Sequence, residues 1–458
     1  MNLDALQAPV SRRSALFDLD ELALGLAFVL LCALPFILGD QATSLMSAEQ
    51  MGLTSPEGDA SKQAILASMY VGFGLLLLGR TRAGEWKALG VPLTLMLVLC
   101  IASAAWSDMP GLALRRSIAL AGTVAVGLFA ALRVDEHRLM RTLLASAWVV
   151  LLASFAVAAA LPASGLDPEG RLRGVFGHKN GLATFAALSL LAALLWRPPA
   201  PPEARPHERP RGRRAGVSVA QWVLAALCCA ALSMSSSVTS TMSLICAVVA
   251  MVLQGRAGNR ACVVFITTAL ALGLLAPVLA SHFGEVALLF GRESDFSGRT
   301  QVWMFSLEFL QRSPLLGYGY TAFWGGPAAI IFQRWAGFPV PNAHNGYLDL
   351  ALGVGIPGAA LVIVVVGRLI WMLARPDGGE EAVRSRRFTA ALLTFVLVMN
   401  ITENRLFTGN EIITLLFVYL VVRANAPARE TVAEADMSAN ISADTQPAGI
   451  DMHARMPQ

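Results

Sequence analysis

The sequence predicts an all-α polytopic membrane protein of about twelve transmembrane helices, interrupted by one large polar loop. Three observations carry this expectation. Of the 458 residues, 55% are hydrophobic and only 14% charged, and the mean hydropathy is +0.59; this balance leaves no room for a large soluble domain. The apolar residues gather in runs suited to a hydrocarbon core of about 30 Å, which takes roughly 20 residues per helix. The arginines between the runs alternate as the positive-inside rule requires. The net charge of +4 is therefore read as cytoplasmic loops and not as a nucleic-acid surface.

Taken in order, residues 1–21 are polar, carry Arg12 and Arg13, and form a cytoplasmic N-terminus ahead of a retained first helix. Nine spans fall within 22–280, near 22–39, 64–79, 88–105, 117–132, 142–162, 180–196, 217–234, 238–253 and 261–280. Within them, the Pro/Arg-rich stretch 197–216 reads as a disordered cytoplasmic linker. Residues 281–345 form the polar loop, and 346–423 hold three more spans, near 346–372, 388–400 and 411–423. The polar, acidic stretch 424–458 reads as a disordered cytoplasmic tail.

With the N-terminus inside, Arg80, Arg82, Lys87, Arg133, Arg138, Arg141, Arg256, Arg260, Arg375, Arg384, Arg386 and Arg387 all fall on the cytoplasmic side. The exceptions carry the signal. Arg115, Arg116, Arg171, Arg173, Lys179, Arg292, Arg299, Arg312 and Arg334 fall outside. Singly, each reads as a solvated or headgroup-contacting charge; together they read as an anion site on the outer face.

Within the loop, Gln301, Glu308, Gln311 and Arg312 share one face of a helix whose other face is apolar, so an amphipathic helix is expected to lie in the outer interface, the alternative being a helix that packs on the bundle. Arg299 stands at its N-terminal end, where free backbone N–H groups also favour anions, and Ser313-Pro314 with Gly317 and Gly319 end it. His344 is the best catalytic candidate. It precedes the tenth span, whose N-terminal end should lower its pKa and keep the imidazole neutral, as a general base requires. Asn342 and Asn345 flank it and are expected to orient the ring; Asp349 lies on the same helical face as Asn345. The alternative for a lone histidine is a structural role.

The stretch from Gly170 to Gly181 contributes Arg171, Arg173, His178 and Lys179 at the mouth of the sixth span. Two arginines so close can grip a diphosphate with planar, multidentate bonds, and the plainer alternative is an interfacial anchor. In Asn400-Ile401-Thr402-Glu403-Asn404-Arg405, an acid and an arginine lie between two apolar runs; Glu403 is expected to hold Arg405 or an incoming arginine, or the stretch is a helix-ending turn. The six cysteines have no metal-ligand spacing and read as packing residues. Neither a metal site nor a cofactor motif is expected: ligand clusters, a Walker loop, a dinucleotide fingerprint and a nucleophile elbow are all missing from the sequence.

At these residues the chain resembles the O-antigen ligase and polymerase superfamily of bacterial envelope proteins, and within it the exopolysaccharide polymerases of the ExoQ type. The resemblance rests on Trp106-Ser107 with Arg115-Arg116, Gly174-Val175-Phe176-Gly177-His178-Lys179-Asn180, Arg299 with Trp303, Pro314-Leu315-Leu316-Gly317-Tyr318-Gly319, Ala343-His344-Asn345-Gly346-Tyr347-Leu348 and Asn400-Ile401-Thr402-Glu403. It implies a GT-C-like membrane fold and a metal-independent, inverting glycosyl transfer on the periplasmic face of the inner membrane. The implied donor is a glycan on undecaprenyl diphosphate. By resemblance, Arg299 and Arg171 or Arg173 hold the diphosphate and His344 serves the acceptor hydroxyl; His178, Lys179, Arg115, Arg116, Asn345 and Glu403 complete the expected substrate-binding set.

The implied partners are the lipid-linked oligosaccharide, membrane lipid, and a chain-length regulator and flippase of the same pathway. One departure is visible. The Ser-rich stretch 235–240, where many relatives carry a basic residue, has none here. Two alternatives stay open: a ligase that moves finished glycan onto lipid A core, and, from another class, a polysaccharide transporter or flippase. The latter predicts paired mid-membrane charges and an internal repeat, and neither is evident.

Overall fold

The computed structural model describes residues 18–38, 60–196, 218–256, 259–289, 298–375 and 380–425. The expectations for 1–17, for the linker 197–216, for Arg292 and for the tail beyond 425 lie outside these residues. The described chain folds into α1 (Leu19–Ile37), α2 (Ala60–Arg80), α3 (Val91–Ala102), α4 (Pro110–Arg133), α5 (Glu136–Ala160), α6 (Pro162–Gly165), α7 (Lys179–Leu195), α8 (Val219–Ser235), α9 (Val238–Arg256) and α10 (Asn259–Leu289). It continues as α11 (Arg299–Arg312), α12 (Pro327–Ala336), α13 (Gly346–Ala374), α14 (Glu380–Thr402) and α15 (Ile412–Asn425).

Seven of these, α1, α2, α4, α5, α9, α10 and α13, are long and apolar enough to cross a membrane, and α3, α7, α8 and α15 are shorter apolar helices. Together with α14 they account for every apolar run of the sequence. Their outward faces carry exposed Leu26, Leu78, Val98, Val149, Leu152, Val264, Leu272 and Val364, apolar side chains that fit hydrocarbon better than water. Of the cysteines, Cys32, Cys100, Cys228 and Cys262 are buried, Cys246 is half-buried and Cys229 is exposed; all are free thiols.

Polar bonds join the helix ends of one side. Asp20 pairs with Arg80 at 2.5 Å, Asp18 with Arg138, and Glu21 with Arg141. Asp18 and Glu21 also form the capping box that starts α1, so one pair of acids both starts a helix and neutralises two arginines. Farther along, Asn259 donates to the Arg375 carbonyl at 2.6 Å, and Ser385 donates to Glu136. The arginines that the sequence assigns to a single face thus lie at a single end of the bundle.

The opposite end is built around a break in α13. Val354 and Gly355 leave helical geometry, Gly355 with φ 74°, and the freed backbone groups bond to the motif 314–319 that lies against them. Tyr318 and Gly319 donate to the carbonyls of Leu352 and Gly353 at 2.8 and 2.9 Å, and Ile356 donates to the Pro314 carbonyl at 2.8 Å. Both partners must be glycine at the contact: a Cβ on Gly355 would stand 2.2 Å from the Leu315 oxygen, and one on Gly317 would stand 2.5 Å from the Leu352 oxygen. Trp106 and Ser107 then hold the same motif, donating to the carbonyls of Leu316 and Tyr318 at 2.9 Å each.

A second core distinguishes the polar loop. Val302, Trp303 and Phe305 of α11 pack with Phe323, Trp324, Phe332, Ala343, Leu348 and Leu352, with Phe305 and Phe332 edge-to-face at 5.2 Å. Of the two arrangements expected for α11, the packed helix is the one observed, not one lying with its apolar face in the outer interface. The amphipathic pattern is real, since Gln301, Glu308, Gln311 and Arg312 are exposed, but the apolar face is buried in protein.

Candidate active site

The break in α13 and the aromatic core bring seven segments to one cavity of about 860 Å³. It is walled by Arg116 of α4, His178 and Asn180 at the head of α7, Arg299 of α11, the turn 320–324, the irregular approach 338–344 to α13, Asp349 of α13 itself, and the connector 403–411 between α14 and α15. Each polar side chain is placed by a local cause. Gly298 caps α11 with φ 75° and sets Arg299 as its first residue. His178 caps α7, its Nδ1 accepting from the Asn180 N–H at 3.2 Å. Asn400 accepts from the N–H groups of Arg405 and Leu406 at 2.9 and 2.8 Å, which turns the chain out of α14 and into the connector.

Glu403 is the hub. Its Oε1 accepts from Asn180 Nδ2 at 2.8 Å and lies 3.8 Å from Arg299 Nη2, so it holds an incoming arginine, one of the two expected arrangements. Arg405 pairs instead with Glu411 at 2.5 Å. Burial opposes the charge on Arg405, but Glu411 and Glu403 outweigh it and hold its pKa above the usual value. Arg116 donates to the Thr321 carbonyl, and Thr321 takes a positive φ of 51°. His344 and Asn410 in the same wall are also left-handed, with φ 50° and 64°, a concentration of backbone strain found where function over-determines the fold.

Burial is the largest cause of a lowered pKa at His344, with Arg299 and Arg405 acting in the same direction and Glu403 against them. The direction matches the sequence expectation, with burial beside cations as the main cause. His178 is also lowered, first by burial and then by Arg405 and Lys179, with Glu403 and Asp167 opposing. Two imidazoles whose pKa is lowered therefore face a cavity that also holds three arginines.

The flanking asparagines do not orient the His344 ring. Asn342 accepts from the His344 backbone N–H at 2.9 Å. Asn345 is fully buried; it caps α13 by accepting from the Tyr347 and Leu348 N–H groups and donates to the carbonyls of Gly273 and Ile401 at 3.3 and 3.0 Å.

Arg171 and Arg173 stand apart from the cavity. Arg171 pairs with Asp167 at 2.7 Å and with Glu169, while buried Arg173 donates to the carbonyls of Ser164 and Ala163 at 3.0 and 2.9 Å. These bonds close the turn before α7. Arg115 and Lys179, next to lining residues, are likewise outside the lining. The Ser-rich stretch brings hydroxyls and no charge: Thr239 and Thr402 bond at 2.7 Å, bracing the end of α14 beside Glu403.

Sequence reasoning left Glu411, Asn410 and Thr321 out of the site, and named Arg405 only as a partner of Glu403. The available signal was the polar run 403–411 between two apolar spans, which carries a second carboxylate. A second cavity of about 440 Å³ shares His178, Arg405 and Glu411 with the first, and its other wall is largely apolar, with Leu31, Pro35, Leu66 and Phe185.

An all-α bundle with helices long and apolar enough to cross a membrane thus gathers arginines, carboxylates and two imidazoles at one end, a set of groups suited to an anionic ligand. Comparison with known proteins agrees with the motif resemblance: residues 222–363 match the family model described as O-antigen ligase. The chain is also 26% identical over 343 residues to the exopolysaccharide production protein ExoQ of Rhizobium meliloti (strain 1021), across 72% of this chain and 75% of that protein. The family match contains Arg299, Trp303, His344 and Asp349; His178, Glu403, Arg405 and Glu411 lie beyond it.

Proposed function

We propose that this protein is a polysaccharide polymerase of the bacterial inner membrane, transferring glycan from undecaprenyl diphosphate to a sugar hydroxyl of a lipid-linked acceptor. The observation that carries the reading is the juxtaposition of His344, lowered in pKa, with Arg299, Arg405 and Arg116 in one cavity. In the proposed step, neutral His344 takes the proton from the acceptor hydroxyl as its oxygen attacks the anomeric carbon. The bond from that carbon to the diphosphate oxygen breaks, and the arginines stabilise the charge on the departing diphosphate. A diphosphate leaves without a separate general acid, attack from the opposite face inverts the anomeric configuration, and no metal ion is required.

The topology proposed with it has twelve spans, both termini in the cytoplasm and the segment 281–345 in the periplasm. The gathering of the cytoplasmic-type arginines at the end opposite the cavity supports it. The apolar wall of the second cavity suits the polyprenyl part of a carrier lipid. The name of the relative, an exopolysaccharide production protein, favours the polymerase, while the family's description as O-antigen ligase favours a ligase, for which lipid A core is the acceptor to test. Purified protein in lipid, given the cell's own lipid-linked repeat unit alone, decides between them. A ladder of longer glycans on undecaprenyl diphosphate is expected; transfer only upon addition of lipid A core would establish the ligase, and transfer in neither case would remove the enzyme reading.

A further inference from the structure

We infer that Trp303 and Asp349 are positioning residues that aim His344 through the backbone of Ala343; the inference rests on the general-base reading of His344. A catalytic imidazole is commonly oriented by a hydrogen bond to its second nitrogen. Here His344 Nδ1 is buried and makes no such bond, and both neighbouring asparagines are engaged with backbone groups. The direction of the ring is therefore set by the backbone that carries it, and that backbone is left-handed at φ 50°, a conformation unfavourable to a non-glycine residue that persists only where the surroundings impose it.

The surroundings impose it at Ala343, which is fully buried. Its N–H donates to both carboxyl oxygens of Asp349 at 2.9 Å, and its carbonyl accepts from Trp303 Nε1 at 2.8 Å. Asp349 is itself pinned by Trp324 Nε1 at 2.9 Å. Both tryptophans belong to the aromatic core of the loop, while Asp349 belongs to α13. On the other side of His344, Asn345 ties the chain to α10 and α14. The strained residue thus hangs between two anchored neighbours, and the loop core and the membrane helix jointly decide where the imidazole points. A displacement of about 1 Å at such a group costs on the order of a hundredfold in rate.

The test uses the full-length protein in lipid with the extracted lipid-linked repeat unit as substrate, and compares Trp303→Phe, Asp349→Leu, Asp349→Asn and His344→Ala per folded molecule. Trp303→Phe keeps the ring and removes the donor; Asp349→Asn keeps the oxygen that accepts from both Ala343 and Trp324, whereas Asp349→Leu removes it. Trp303→Phe and Asp349→Leu are expected to lower kcat about tenfold to a hundredfold with KM unchanged, and Asp349→Asn to restore most of it. Losses confined to folded yield, or appearing in KM alone, would overturn the inference. So would wild-type turnover in Trp303→Phe and Asp349→Leu while His344→Ala is inactive, a result that leaves the general base standing. Full turnover in His344→Ala would instead remove the general base and this inference with it.

Discussion

Arg299 Nη2 lies 3.8 Å from the Glu403 oxygen that also accepts a hydrogen bond from Asn180 at 2.8 Å. One carboxylate therefore links the head of α7, the first turn of α11 and the end of α14, and sets the guanidinium at the cavity wall. Arg299→Lys preserves the charge but loses the planar fork that binds a phosphate through two parallel bonds. Transfer activity should fall about tenfold or more with membrane levels unchanged. Activity equal to wild type, measured as polymer per unit of membrane protein, would reduce Arg299 to a surface charge.

The pH dependence follows from the direction of the His344 shift. A base whose pKa is lowered is deprotonated over a wider range, so activity should be flat at neutral pH and fall only below the ordinary imidazole value of about 6.5. Glu403 raises this pKa while Arg299 and Arg405 lower it. Glu403→Gln should therefore move the acid limb to lower pH, and Arg299→Gln should move it to higher pH. Rate profiles of the two variants that coincide with the wild-type limb would show that another group titrates.

Gly355→Ala should be among the most damaging small substitutions in the chain. The residue has φ 74° and a Cβ would lie 2.2 Å from the Leu315 carbonyl oxygen, a backbone atom that cannot swing aside. A ψ of −180° beside that φ puts Gly355 in a region essentially confined to glycine, and the clash adds to the strain. A thermal shift in detergent should show a clearly lowered Tm. Gly79, whose Cβ would meet nothing within 4 Å, serves as the control, and equal Tm values for the two alanine variants would contradict the packing described for the motif 314–319.

The helices were legible because hydrophobic length and arginine placement are local signals, and each apolar run lies on a helix. That His344, Arg299, Arg116 and Glu403 would stand out was legible because they are polar groups beside apolar runs, and the structure brings all four to one cavity. The roles of Arg171 and Arg173 were not, because their partners Asp167 and the carbonyls of Ala163 and Ser164 are identified only once the turn closes. The glycines of the motif 314–319 read as helix terminators, although their purpose is a close approach to a broken helix far along the chain. Glu411 was missed for a similar reason: a carboxylate eight positions beyond Glu403 has no periodic relation to it, and the irregular connector alone joins them.

Topology is open to a direct measurement. In a background without native cysteines, Trp335→Cys on exposed α12 and Ala83→Cys in the exposed turn after α2 sit at opposite ends of the bundle. An impermeant thiol reagent on intact spheroplasts should label the first and spare the second until the membrane is broken. Labelling of the second alone would invert the orientation and place the cavity in the cytoplasm.

The central claim is that His344 is the base of a glycosyl transfer that lengthens a lipid-linked chain, and the lipid-linked pool tests it most directly. His344→Ala removes a side chain that makes no ring-nitrogen hydrogen bond at Nδ1, so insertion and protein level should hold, while the chemical step falls by roughly 10² to 10⁴. Single repeat units on undecaprenyl diphosphate, cleavable by a glycosidase added outside the inner membrane, should accumulate as polymer disappears. Long glycan on the carrier would mark a ligase, units protected from the glycosidase would mark a flippase, and full-length polymer in the variant would contradict the account.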